Sequence, residues 1–192
     1  MKYFNKATFA SDPGNFELSI KKTRFLIPEI FSISERIRYL FRKLGMKSLI
    51  EALSEHLKYG DSQGAIVVST EPLLIGTYNE DIDCVVMLQF SREVLERYQL
   101  QKRQQLICVN TFQAASELQQ DLIPGKNYSG TWQAVHPVIA DFMTDDTEKL
   151  IKRKNEIGDK GYEYIETLCE GYLKSKPEIF RNGKPFYAGQ LL

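Results

Sequence analysis

Along the chain, apolar residues first recur at helical spacing and later in short unbroken runs. Ser32-Ile-Ser-Glu35 has the form of a capping box, in which Glu35 reaches back to the amide of Ser32. Behind it Ile33, Ile37, Leu40, Phe41 and Leu44 make one stripe that ends at Gly45. A second stripe, Met46, Leu49, Ile50, Leu53 and Leu57, closes at Gly60. This pattern predicts a helical hairpin over about 32–59 with its apolar faces buried and His56 on the helix surface.

The period then changes. Ala65–Thr70, Leu73–Tyr78, Cys84–Phe90 and Leu106–Phe112 are short, β-branched and apolar at successive positions. Such runs suit strands covered on both faces. The connections Glu71-Pro72 and Tyr78-Asn79-Glu80-Asp81 are too short for helical crossovers, so the first three strands should form an antiparallel meander. Ser91 is placed to cap a short helix before the fourth strand. Further apolar positions fall in Thr131–Pro137 and Val138–Met143. A long polar helix follows over about 145–174, with Thr144 as N-cap and Asp145 and Asp146 suited to the helix dipole. Gly158 and Gly161 each cost ~1 kcal/mol relative to alanine there, so the helix either breaks or meets another backbone. A turn is expected at Asn182-Gly183, with no regular structure beyond it.

Together these elements predict a single α+β domain spanning residues 1–192. A largely antiparallel sheet of four to five strands, drawn from about 65–143, packs against the N-terminal hairpin and the long C-terminal helix. No linker or internal repeat divides the chain. Its 25 basic and 25 acidic residues cancel, so no net field favours nucleic acid or an anionic membrane. The basic hairpin is a poor DNA reader: Phe41 is too large for the close helix approach, and Glu51 and Glu55 would face phosphates. No apolar run has the length of a membrane span, and no secretory leader is expected at the N-terminus. The three cysteines are widely spaced, with Cys84 and Cys108 inside apolar runs, which suits a reducing cytoplasm.

Candidate chemistry centres on Leu74–Leu88, where Gly76-Thr77 is followed by Asp81-Ile82-Asp83. Two carboxylates two residues apart on a strand share a face and could clamp paired cations, with Asp141 as a third ligand. Over residues 74–88 this resembles the DNA polymerase β-like nucleotidyltransferases. The resemblance implies a metal-dependent enzyme with Asp81 and Asp83 as catalytic, divalent-metal-binding residues and Asp141 as the third ligand. That family places a helix between the glycine motif and the aspartates, whereas here only Tyr78, Asn79 and Glu80 intervene. The competing reading is a polar turn from Asn79 to Asp83.

Elsewhere Gly125-Lys126 lacks the remainder of a phosphate loop, and His56 and His136 have no ligand neighbours in sequence. Tyr128, Trp132 and His136 cluster in a glycine-rich stretch and are the candidate ligand-binding residues. The alternative is a loop anchored by one buried tryptophan. The polar face of 145–174 is a second candidate surface. The favoured expectation is a cytoplasmic, non-enzymatic module that binds a protein or small ligand, without cofactor. A metal is expected only under the nucleotidyltransferase alternative.

Overall fold

The structure, a computed structural model, describes residues 10–31, 49–113, 115, 117–130 and 132–185. The first helix of the expected hairpin, with Ser32 and Glu35, lies outside the described residues. In chain order the elements are α1 (Ile20–Leu26), a 3-10 turn (Pro28–Phe31), α2 (Leu49–Tyr59), β1 (Asp61–Thr70), β2 (Leu73–Asn79) and β3 (Cys84–Phe90). Then come α3 (Arg92–Tyr98), β4 (Gln105–Gln113), β5 (Ala134–Ile139), a 3-10 turn (Ala140–Phe142), α4 (Thr147–Ser175) and β6 (Arg181–Asn182). Among the described residues no helix is long and apolar enough to cross a membrane.

The chain is α+β, and its sheet has six strands in the order β5-β4-β1-β2-β3-β6. The meander β1-β2-β3 is antiparallel, as its short connections require. β6 pairs in parallel with β3, at Leu88↔Arg181 and Gln89↔Asn182, so the sheet is mixed and has six strands where a largely antiparallel one of four to five was expected. The tail carries too little apolar signal to be read as a strand; besides its pairing with β3, a buried arginine ties it to the far edge of the sheet. Arg181, 1% exposed, makes a bidentate ion pair with Asp121, Nε to Oδ2 at 2.6 Å and Nη2 to Oδ1 at 2.8 Å.

The same guanidinium donates from Nη1 to the carbonyl of Val135 on β5 at 2.6 Å. In a flat six-stranded sheet those edges would stand about 24 Å apart, five strand spacings. The sheet therefore curls until one arginine spans the gap. Gln119 completes the closure, because its Oε1 accepts from both Arg181 Nη2 and the Val135 amide.

Both sheet faces are buried. The larger core joins Val67, Ile75, Val86, Leu106 and Phe112 to Leu26, Leu53, Leu57 and Phe142. A smaller one lies under α4, where Tyr162, Ile165, Cys169 and Tyr172 meet Ile66, Leu74, Val85 and Met87. A Cβ at Gly76 would collide with the Cys169 sulfur, so glycine lets the helix settle this close.

The helix begins at Thr147 with Asp146 as N-cap, and Thr144 Oγ1 instead accepts from the Asp146 amide. It is two segments. Gly158, at φ 66° and ψ 171°, breaks the helical path in a region that glycine enters readily. α1 went unread in the sequence because it is a seven-residue helix that buries only Thr23 and Leu26.

Candidate functional site

The Asp81–Asp83 stretch is a tight connection and not part of a strand. Asn79 Oδ1 accepts from the Ile82 amide at 2.8 Å, and the Asp83 amide donates to Glu80 O at 3.1 Å. Asp83 has φ 52°, a left-handed conformation that aspartate tolerates in turns. Strand alternation therefore does not put Asp81 and Asp83 on one face.

Asp83 is 1% exposed, and the chain supplies four donors to it. Oδ1 accepts from the hydroxyls of Tyr78 (3.1 Å) and Tyr164 (2.7 Å). Oδ2 accepts from the backbone amide (3.3 Å) and Nδ2 (3.0 Å) of Asn127. A carboxylate has roughly four acceptor positions, and these bonds fill them. The bond to Asp83, followed by burial, pushes the Tyr164 hydroxyl up to about 12. Burial first and the Asp83 charge second raise Tyr78 further.

Tyr128 and Trp132 belong to the loop laid over this turn. The Gly125 amide donates to Ile82 O at 3.1 Å and that of Ser129 to Asp81 O at 2.8 Å. The Trp132 ring stacks on Phe112, centroids 5.9 Å apart and planes 18° apart, and Tyr128 donates to Trp132 O at 3.4 Å. Burial, then the neighbouring Glu80 charge, raises the Asp81 carboxyl above its usual range, and a bond with the Trp132 side chain partly offsets this. Two groups of candidate residues thus meet at one place, where they fasten loop to turn.

His136 stands apart. It lies opposite Thr111 on β4, whereas Val135 lies opposite Phe112. Neighbouring strand residues face opposite sides, so His136 is across the sheet from the Trp132–Phe112 stack. His136 is close enough to His56 to lower it electrostatically. His56 is not on the surface as expected. Its Nε2 donates to Val109 O at 2.8 Å, with Thr111 Oγ1 at 3.5 Å from Nδ1. Burial holds its pKa down to about 4, against the raising influence of the Val109 bond. Three residues from Leu53 and adjacent to Leu57, His56 is half-buried at the margin of the buried stripe, with its ring turned onto β4.

Asp141 lies in the 3-10 turn after β5. Its Oδ2 accepts from the Ile107 amide at 2.8 Å and its Oδ1 pairs with Lys154 Nζ at 2.5 Å. Among the described residues it shares no hydrogen-bond partner with Asp81 or Asp83, and in the sheet order β4 and β1 stand between β5 and the strands β2 and β3 that the Asp81–Asp83 turn joins. Among the described residues, no three His, Cys, Asp or Glu side chains are grouped to hold a metal ion.

A polar cluster escaped the sequence reading. Gln63 Nε2 donates to Asp61 Oδ2 (2.7 Å) and to Glu80 Oε2 (3.2 Å), and Asn110 stands opposite Asp61. Among the described residues Asn79 Nδ2 and Asn110 Oδ1 are buried without a partner. Burial first, then the charges of Glu80 and Asp12, raise the Asp61 carboxyl. The available signal was polar residues at the ends of otherwise apolar strands.

Two clefts open near these elements. A smaller one of about 220 Å3 runs between Ile123–Gly125 and the α4 positions Thr167, Gly171 and Ser175. A larger one of about 370 Å3 lies where α1, the end of β3, α3 and β6 meet. Its walls are Phe25, Leu26, Pro28, Phe90 and Val94, with Gln89, Ser91, Glu93, Asn182 and Lys184 around them. No protein-family model, curated protein or solved structure matches the chain.

Proposed function

We propose that the chain is a cytoplasmic, non-enzymatic binding module, and that its ligand is a small molecule with an apolar body held in the larger cleft. The observation that carries this reading is the cleft itself. Its 370 Å3 lies in the range of small-molecule sites, and its apolar walls with a few polar groups are the usual composition of such sites. The buried, free state of Cys84, Cys108 and Cys169 supports the reducing cytoplasm. The saturation of Asp83 supports reading the Asp81–Asp83 stretch as a structural connection.

Thermal unfolding against a set of small apolar compounds tests the proposal, with Ser91→Phe as the control that fills the cleft. Ser91 makes no side-chain capping bond, so its replacement should leave the fold intact. A ligand at a hundred times its Kd stabilises by ~2.7 kcal/mol, a rise in Tm of roughly 5–10 °C for a domain of this size. A rise that persists unchanged in Ser91→Phe would place the ligand elsewhere.

A further inference from the structure

We infer that the ligand of this cleft is an apolar carboxylic acid, an acyl or aryl acid whose carboxylate is anchored by Lys184; this rests on the cleft reading above. The tail fixes the anchor in position. The Gly183 amide donates to Gln89 O at 2.8 Å and the Lys184 amide to Asn182 Oδ1 at 2.9 Å. Gly183 packs against Phe90, where an added Cβ would stand 2.5 Å from the ring. Lys184 Nζ is therefore presented from a tethered backbone at the end of the apolar wall.

Its present partner is Glu29, at 2.7 Å, with the two side chains 37% and 52% exposed. A pair this open to solvent contributes little, so an incoming carboxylate can take the place of Glu29 at small cost. Asn182 uses Oδ1 to accept from the Lys184 amide, and among the described residues its Nδ2 has no partner and can donate to a ligand. Ser91 adds a hydroxyl that caps no helix amide. An ammonium, an amide N–H and a hydroxyl around one cleft complement the two oxygens of a carboxylate. Arg97 over the Phe25 ring (4.2 Å) and Arg24 over Phe31 (5.0 Å) add positive potential close by. Glu93 and the displaced Glu29 are the opposing charges nearby, and both are solvent-exposed and screened.

Calorimetric titration with octanoate, octanol and octylamine, together with NMR of the Val94 methyls and the Phe90 ring, decides the matter. Octanoate should bind about tenfold more tightly than octanol, the scale of a partly exposed bond to a charged donor. Lys184→Gln should remove that advantage, so that octanoate binds no more tightly than octanol. If octanol or octylamine matches octanoate while Val94 and Phe90 respond, the acid is overturned and the cleft reading stands. If none of the three perturbs these signals, or Ser91→Phe binds them as well as the wild type, the cleft reading falls with it.

Discussion

The Asp81–Asp83 turn and the Phe25–Lys184 cleft look opposite in sequence and in space. The turn has the residues of a reactive site: paired aspartates, tyrosines, an asparagine and a tryptophan nearby. In the fold these spend their hydrogen bonds on one another, and Asp83 ends with four internal donors. The cleft is assembled from phenylalanines, leucine, valine and a lysine that raise no suspicion in a linear reading. Yet among the described residues its lysine is held by an exposed partner, Glu29. Whether a polar group is available to a ligand depends on what the tertiary structure has left unused, and residue type alone does not report that.

The comparison can be broken most forcefully at Arg181, which anchors the loop side of the molecule. Arg181→Met leaves Asp121 buried without its partner and should lower stability by about 3–5 kcal/mol in urea unfolding. A loss below ~1 kcal/mol would show that the closure of the sheet does not depend on this pair.

Acid is the next lever. His56 has a folded pKa of about 4, below its unfolded value near 6.5. Its stabilising contribution is complete above pH 6.5 and is lost as pH falls from there toward 4, by roughly 3 kcal/mol in all. Burial, then Arg181, lowers His136 too, so it acts in the same direction. His56→Gln, which can retain a donor to Val109 O, should flatten the profile of stability against pH between 7 and 4. An unchanged profile would assign the acid sensitivity to other groups.

The smallest effect probes the turn directly. Asp83→Asn turns one acceptor oxygen into a donor facing the tyrosine hydroxyls or Asn127, at a cost of about 1–3 kcal/mol. Manganese with nucleoside triphosphates should leave the wild-type Tm where it was. A rise in wild type that Asp81→Asn/Asp83→Asn lacks would instead make the turn a metal site and reverse the contrast with the cleft.

The strands were the most legible part of the sequence, because Ile66-Val67, Val85–Leu88 and Leu106–Val109 are buried on both faces and so read as unbroken apolar runs. The short meander connections revealed the pairing for the same local reason. β6 was illegible, since a two-residue strand fixed by a buried arginine has no periodicity. His56 was misplaced because residue type argued for open surface, while its position beside Leu57 leaves the ring half-buried against Val109 O. The convergence of Asp83 with Asn127, and of Phe25 with Phe90 and Lys184, joins distant segments that no local pattern connects. Asp81 and Asp83 were conspicuous as residues, but their saturation is a property of the folded turn.

Closure of the sheet by Arg181 and Gln119 also bears on how copies of this chain meet one another. β5 is the terminal strand of the sheet, and such strands offer unpaired amides and carbonyls as a template for a neighbouring chain. At Val135 both groups are already taken, the amide by Gln119 and the carbonyl by Arg181. A side chain from the C-terminal tail thus guards the strand edge, so the contact that completes the fold also discourages edge-to-edge aggregation.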